Sequence, residues 1–502
     1  MSTQMTEIER KYEADIATVL PDLAGLPGVA AESGPEEIQL EAEYYDTEDL
    51  RLLRAGITLR RRRGGSDEGW HLKLPAGPDT RQELHRPLGR GRAVPAEFAR
   101  LVRVHARTAP LGPVARIGTV RRQRLLLDAA GASLAQVADD TVSAQSMGAV
   151  TTLSQWREIE VELTGGSRKL LAAADRRLRE AGLRPPGYGA KLERALDGRL
   201  PPPLPRPPAD GLAGQVVLAY LSEQAAALKA WDPQVRRDEP EAVHQMRVAS
   251  RRLRSALQTF RGVLPPARTG HLRGELKWLG QVLGAARDGE VLAGHLAGLL
   301  EQVPPDLMLG PVRATVTEHL APRLAGARRA ALRALDSPRY LALLDDLDAL
   351  IASPPDERAA ASPAWTLRAD VARAYRRLRR AARIAEGLAD GPELDTALHE
   401  TRKAAKRARY AADAVVPSAG QPAERFAARM QALQSVLGDH HDTVVARAAI
   451  RDLGIRAHLA GDNAFTFGLL FELDAADARQ LSDEAWLAWL DARGKKLRRW
   501  LG

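Results

Sequence analysis

The sequence predicts a multidomain protein: an α+β or barrel domain over residues 1–198, then an all-helical domain over residues 211–502. Three observations predict it. Between the two, residues 199–210 hold six prolines in the ten from Arg199 to Pro208, a run that supports neither a helix nor a central strand and reads as extended spacer. Before the spacer, short segments alternate apolar and polar residues at period two between turn signals. After it, Ala, Leu and Arg recur with helical periodicity and few β-branched clusters.

In chain order, strand patterns fall at residues 7–13, 39–46, 56–63, 69–74, 82–88, 118–128, 133–144 and 155–163, about eight strands in all, with helical stretches at 95–107 and 167–181. In the second domain a loop at 354–364 separates two halves, about 211–355 and 365–502, and a shorter turn falls at 387–392. The halves repeat one another. His244-x-x-Arg247-x-x-x-Arg251-Arg252-x-Arg254 is followed, 40 residues from the His, by Gly284 in Leu283-Gly-Ala-Ala-Arg-Asp288. His399-x-x-Arg402-Lys403-x-x-Lys406-Arg407-x-Arg409 is followed after 39 by Gly438 in Leu437-Gly-Asp-His-His-Asp442. Two copies of one helical unit, related by pseudo-symmetry, account for this.

The chain has 502 residues, 45% of them hydrophobic and 27% charged, so it can bury real cores and is not a disordered polymer. It has no cysteine, which excludes disulfides, thiolate metal sites and cysteine nucleophiles. No secretory leader pattern opens it and no apolar run is long enough to span a bilayer, so a cytoplasmic, unanchored protein is expected. The formal net charge is +9. Of its 73 basic residues only ten are lysine, and five of these (Lys11, Lys73, Lys191, Lys403 and Lys406) fall in the motifs considered next.

Glu7-Ile-Glu9-Arg-Lys11 sets two carboxylates and an ammonium at i, i+2 and i+4, which on a strand share one face about 7 Å apart. Glu158-Ile-Glu160-Val-Glu162 does the same with three carboxylates, its Ile and Val turned to the buried face. Two such strands can hold a hard divalent cation through oxygens. Arg60 and Arg62 lie on one face of their strand, and Lys73, Arg81, Arg121 and Lys191 are further bases. A cavity lined by both signs suits a metal-bound polyanion, with acids on the metal and bases on phosphate oxygens.

These residues occur in a specific order: Glu7-Ile-Glu-Arg-Lys11, Tyr44-Tyr-Asp-Thr47, Leu59-Arg-Arg-Arg62, Leu72-Lys73, Arg81-Gln-Glu83, Asp139-Asp140, Glu158-Ile-Glu-Val-Glu162, Lys191-Leu-Glu-Arg-Ala-Leu196. The ordered set resembles the CYTH family, the triphosphate tunnel metalloenzymes, across essentially all of residues 1–200. The resemblance implies a closed tunnel of eight antiparallel strands that binds a triphosphate with Mg²⁺ or Mn²⁺ and hydrolyses it. On it, Glu7, Glu9, Asp140, Glu158, Glu160 and Glu162 match the metal-side acids. Lys11, Arg60, Arg62, Lys73, Arg81, Arg121 and Lys191 match the phosphate-binding bases, and Glu7, Glu9 and Lys11 are the catalytic set. Thiamine triphosphatases and adenylate cyclases share the family, so the substrate stays open between inorganic tripolyphosphate and these.

At 100° per residue, His244, Arg247, Arg251 and Arg254 fall within an arc of roughly 80° on one helix, opposite Met246, Ala249, Leu253, Leu257 and Phe260. His399, Arg402, Lys403, Lys406 and Arg409 form the equivalent stripe, with Arg252, Arg407 and Tyr410 beside the two. An ordinary solvated face interleaves acids for i, i+4 pairing, and these stripes do not. Crowded cations call for a counter-ion, and an extended polyanion matches several turns of helix. The two motifs resemble the CHAD family, the conserved-histidine α-helical domain, over about residues 211–502. That resemblance implies two four-helix bundles whose basic helices share a groove for inorganic polyphosphate, with the stripe residues as ligands and not catalysts, and a place on polyphosphate granules.

Leu-Gly-x-x-x-Asp in both copies reads as a tight helix contact or an Asp orienting a basic neighbour. A metal site at Asp439-His-His-Asp442 is disfavoured, because the first copy has Ala285-Ala-Arg-Asp288 there. A non-catalytic polyphosphate scaffold is the main rival reading. Specific nucleic-acid binding has only the charge in its favour, since aromatics make up 4% and offer no stacking platform.

Overall fold

The computed structural model describes residues 3–77, 79–148, 150–200, 211–264, 266–352 and 361–502. Most of the expected spacer, 201–210, and most of the expected loop at 354–364 lie outside them. The chain divides into two compact units, Met1–Leu204 and Pro205–Gly502.

In the first unit the strands are β1 (Thr3–Ala14), β2 (Ala31–Glu32), β3 (Glu36–Asp46), β4 (Thr58–Arg63), β5 (Gly69–Gly77), β6 (Thr80–Arg86), β7 (Gly112–Leu127), β8 (Ser133–Ser146) and β9 (Leu153–Leu163). The order β7-β3-β4-β5-β6-β1-β9-β8, all antiparallel, closes through a β7–β8 pairing into an eight-stranded barrel. The two-residue β2 adds to β7 beyond the end of β3. Every strand expected from alternation is present, with ends shifted by a few residues, as period two alone does not mark where pairing stops.

The barrel is apolar outside and polar inside. Ile159 and Val161 of β9 pack outward with Tyr12, Leu126 and Val137 beneath Leu170, Leu171, Ala174 and Leu178 of α3 (Arg168–Glu180). On another side Leu59, Trp70, Leu72, Leu74 and Leu84 are covered by Phe98, Leu101 and Val102 of α2 (Ala96–Ala106). Two short helices, α1 (Arg51–Arg54) and α4 (Lys191–Ala195), are too brief for a periodicity signal. Leu192 and Ala195 of α4, with Leu196, pack on Tyr44, Ala115, Ile117, Val142 and Trp156, and so bring Lys191 to the barrel interior.

The second unit is helical: α5 (Ala213–Arg236), α6 (Ala242–Thr259), α7 (Pro266–Gln302), α8 (Val312–Leu335) and α9 (Pro338–Ala352), then α10 (Arg368–Glu386), α11 (Pro392–Ala419), α12 (Gln421–Leu459), α13 (Phe465–Ala492) and α14 (Lys495–Arg498). Consecutive packing of α5 to α8 is repeated by α10 to α13, giving two pseudo-symmetric four-helix bundles, with α9 added to the first. The apolar faces opposite the basic stripes are buried: Met246, Leu253, Leu257 and Phe260 are each 0% exposed. Leu296, Leu299, Leu300, Val316 and Leu320 of α7 and α8 pack on Ile450, Leu453 and Leu470 of α12 and α13, which ties the halves together. No helix among the described residues is long and apolar enough to cross a membrane.

Candidate functional site

Inward-facing positions of the barrel enclose a cavity of about 470 Å³. Its wall brings together Glu7, Glu9 and Lys11 from β1, Arg60 and Arg62 from β4, Lys73 from β5, Arg81 from β6, Arg121 from β7, Glu160 and Glu162 from β9, and Lys191 from α4. Asp140 and Glu158 sit opposite each other on β8 and β9 and stand behind this wall, 0% and 1% exposed. Asp139 turns the other way and pairs with Arg157 at 2.8 Å.

Most interior charges are already paired. Lys191 Nζ lies 2.9 Å from Asp140, 2.7 Å from Glu158 and 2.8 Å from Glu160, three carboxylates close enough to share one ion. Arg121 donates two hydrogen bonds to Asp140, at 2.8 and 2.7 Å, and one to Glu160 at 2.7 Å. The indole of Trp156 donates to Glu158 at 2.6 Å. Lys11 reaches Glu160 at 2.7 Å and Glu9 at 3.3 Å, and Lys73 reaches Glu7 at 2.6 Å. Arg81 donates to the Gly189 carbonyl at 2.7 Å, and Arg62 pairs with Asp67 at the edge of the cavity.

These pairings set the ionisation. Against the cost of burial, Lys11, Lys191 and Arg121 hold Glu160 well below the usual carboxylate range, and Lys11 and Lys73 lower Glu9. Burial, with Glu83 and Glu9 nearby, pushes Glu7 up to about 8. Burial also raises Glu162, with help from Glu9 and Glu160. Glu7, Glu9, Glu160 and Glu162 line one cavity with oxygen donors only, and Glu7 Oε2 is buried beside Lys73 without a well-aligned hydrogen bond. That donor chemistry fits a hard divalent cation.

In the helical unit α6 packs against α11, bringing the two stripes together. Arg247 and Arg251 of one and Arg402 and Lys406 of the other form a single cationic cluster. Burial and the charges of Arg251, Arg402 and Arg247 push Lys406 down to about 6. Further along, Arg254 lies beside Arg407. Arg252 and Arg409 each lie 5.7 Å from the Tyr410 ring, and both approach Asp413, at 3.8 and 3.6 Å. Lys403 stands apart from the cluster, exposed and paired with Glu400 at 2.6 Å. His399 stacks on His441 with ring centres 4.1 Å apart, and burial together with His441 and Lys403 pushes it down to about 4. His244 is lowered by burial and by Arg287. His440 turns away from His441 toward Asp395, 3.5 Å off.

A model of the CYTH domain matches residues 5–185, and a model of the CHAD domain matches residues 219–451. The chain is a CYTH–CHAD protein. An uncharacterised protein of Mycobacterium tuberculosis is 40% identical to it over 516 aligned positions, covering 98% of each chain. Among solved structures, PptA from Streptomyces chartreusis aligns over 56% of this chain and 100% of its own, with 22% identity and a TM-score of 0.47. The CHAD domain from the plant Ricinus communis aligns over 55% and 93%, with 27% identity and a TM-score of 0.44.

The CYTH unit also gives roles to Glu83 and Tyr44, which the ordered motifs name without one, and adds His71, which sequence reasoning missed. Glu83 lines the cavity, 7% exposed, at 3.8 Å from Arg60 and 4.0 Å from Lys73. Behind it His71 is clamped between Glu83 at 2.7 Å and the Asp67 carbonyl at 2.9 Å, and burial pushes it down to about 3. Tyr44 takes a 3.4 Å hydrogen bond from Arg60. Strand parity was the available signal: Glu83 is two residues from Arg81 and His71 two from Lys73, on the same faces. In the CHAD unit the missed partner is His441, which only the packing of α11 on α12 brings to His399.

Proposed function

We propose that the CYTH unit hydrolyses inorganic tripolyphosphate, or a closely related triphosphate, with Mg²⁺ or Mn²⁺, and that the CHAD unit binds inorganic polyphosphate. The observation that carries the reading is a set of buried guanidinium donors left without acceptors in both places. They include Arg60 and Arg62 Nε in the tunnel, and Arg251, Arg252 and Arg402 Nε on the basic helices. Buried donors are normally satisfied, and strings of phosphate oxygens are the acceptors that guanidinium forks match best.

In the tunnel, carboxylates and cations occur in nearly equal number, so a bare polyanion would add negative charge where the cations are largely engaged. Divalent cations held by Glu7, Glu9, Glu160 and Glu162 would neutralise that charge and polarise a phosphoryl oxygen. The chain's own groups do the rest. Arg60, Arg62, Lys73 and Arg121 hold the phosphates in line, while Asp140 and Glu158, expected from the sequence among the metal-side acids, instead fix Lys191 and Arg121 from behind. Water bonds to the terminal phosphorus and loses a proton to solvent, the phosphoanhydride bond to the remaining diphosphate breaks with its electron pair leaving on the diphosphate oxygen, and Lys11 and Arg81 stabilise the charge that departs with it.

In the CHAD unit the ligands are His244, Arg247, Arg251, Arg254, His399, Arg402, Lys406 and Arg409, with Lys403 at the solvent edge. Such a groove would hold the protein on polyphosphate granules. Phosphate release from tripolyphosphate, ATP, thiamine triphosphate and long-chain polyphosphate, with each metal and with chelator, tests the reading. Metal-dependent release fastest from tripolyphosphate is expected. No release from any of them would leave a binding scaffold in its place, and cyclic AMP from ATP would make the tunnel a cyclase.

A further inference from the structure

Each copy of the helical repeat keeps a glycine in the interior of its longest helix, Gly284 in the 37-residue α7 and Gly438 in the 39-residue α12. Both face the first arginine of a basic stripe. A β-carbon on Gly284 would stand 3.3, 3.5 and 3.6 Å from Nη2, Nε and Cζ of Arg247. On Gly438 it would stand 3.2, 3.3 and 3.6 Å from the same atoms of Arg402. In both, Nε and Nη2 stand nearer than Cζ, so it is the Nε–Nη2 edge of the guanidinium that leans onto the helix at the glycine. One turn further, Asp288 accepts from Arg247 Nη1 at 2.8 Å, and Asp442 occupies the same offset beside Arg402. Gly274, Gly294 and Gly298, also in α7, have nothing within 4 Å of such a β-carbon. Gly289 and Gly454 come close to Leu324 and Phe467 instead, so among the described glycines of these two helices the close approach to an arginine belongs to the two that the repeat shares.

We propose that Gly284 and Gly438 are positioning residues of the phosphate groove: the absent β-carbon lets the Nε–Nη2 edge of Arg247 and of Arg402 close on α7 and α12, which sets the direction in which each guanidinium meets the phosphate chain. Asp288 fixes the rotation of the Arg247 fork by its hydrogen bond, and Asp442 sets a carboxylate at the same offset near Arg402. The inference rests on the groove being the polyphosphate site. It explains why Leu-Gly-x-x-x-Asp recurs although the residues between Gly and Asp do not: only the seat and the clamp act on the arginine.

A helix-interior glycine weakens its helix relative to alanine. The seat therefore predicts that stability and affinity move in opposite directions. In the full chain, Gly284→Ala with Gly438→Ala should weaken binding of labelled long-chain polyphosphate about three- to tenfold, with Tm of the helical unit unchanged or raised. Gly294→Ala should raise Tm and leave affinity alone. In an Arg247→Lys, Arg402→Lys background the glycine substitutions should cost no further affinity, because an ammonium has no Nε–Nη2 edge to close on the glycine. Equal losses in both backgrounds, or no loss beside arginine, would overturn the inference. A ligand-free readout separates it from the function proposed for the groove. Arginine ¹⁵Nε signals of Arg247 and Arg402 should exchange slowly in the parent chain and faster after Gly→Ala. Unchanged signals overturn the seat, whereas altered signals in a chain that binds no polyphosphate uphold the seat and reject the ligand.

Discussion

Lys191 Nζ lies 2.7 Å from the carboxylate of Glu158, and both residues are buried, at 8% and 1% exposure. The same ammonium reaches Asp140 and Glu160, so one short helix, α4, delivers the cation that three interior acids share. Removing it while leaving the acids strands buried negative charge. Lys191→Met is expected to cost about 3–5 kcal/mol in the tunnel unit, seen as an earlier first transition in thermal or urea unfolding. The pH dependence has a definite sign. Asp140 and Glu160 are held below their unfolded values, so the parent's stability from them is present at neutral pH and lost as pH falls through their folded values. In Lys191→Met those carboxyls shift upward, so the gap between variant and parent should already narrow as pH falls from 8 toward 4 and close once pH passes below the parent's folded values. A gap that is constant from pH 8 to 4 would show that Lys191 acts by packing alone.

Glu9 and Glu162 face the same cavity from neighbouring strands, with Glu9 registered against Glu162. Replacing either by Gln preserves shape and removes an anionic oxygen donor. Metal-dependent phosphate release should fall at least about a hundredfold in each variant, with unfolding transitions within a degree or two of the parent. Turnover at parental level in both would remove the metal assignment from this pair.

Glu83 has the opposite expected effect on bare substrate. It neutralises Lys73 and Arg60 and accepts from His71, so Glu83→Gln frees positive charge in the tunnel. Calorimetry with tripolyphosphate in chelator should show tighter binding by up to about tenfold, which is about 1.4 kcal/mol, even where metal-dependent turnover declines. Weaker metal-free binding would mean that Glu83 chiefly holds Arg60 and Lys73 in position.

The tunnel was legible because a strand writes its inner face as every second residue. Glu7, Glu9 and Lys11, or Glu158, Glu160 and Glu162, can be read as one surface before any neighbour is known. Glu83 and His71 obey the same parity but carry no run of like charges, so Glu83 stood in its motif without a role and nothing singled out His71. Lys191 could be named only from its place in an ordered motif, since its five-residue helix has no period to read. In the helical unit the stripes were plain, because i, i+3 and i+4 spacing sets one face of a helix. Which stripe residues meet was not, since the approach of α6 to α11 depends on core packing far from the stripes. Lys403 and Lys406 are three residues apart, yet one is exposed beside Glu400 and the other is drawn into the cationic cluster.

Lys406 carries the last prediction. It faces Arg247 and Arg251 of α6, Arg402 on its own helix and Asp442 of α12, and burial with these arginines pushes it down to about 6. At pH 7.5 it is therefore mostly neutral in the free protein. A phosphate chain brings negative charge against the same arginines, which favours the ammonium and raises that value. Binding must then take up a proton between pH 6 and 8, and affinity must rise as pH falls across that window. His399, pushed down to about 4, adds uptake only at lower pH. Titration of full-length protein with polyphosphate at pH 7.5, in buffers of different ionisation enthalpy, should show close to one proton absorbed per groove. Lys406→Met should abolish that proton while weakening binding less than Arg402→Met, because Lys406 must first be protonated and Arg402 is charged from the outset. Uptake that persists unchanged in Lys406→Met would move the titrating group to the His399–His441 pair.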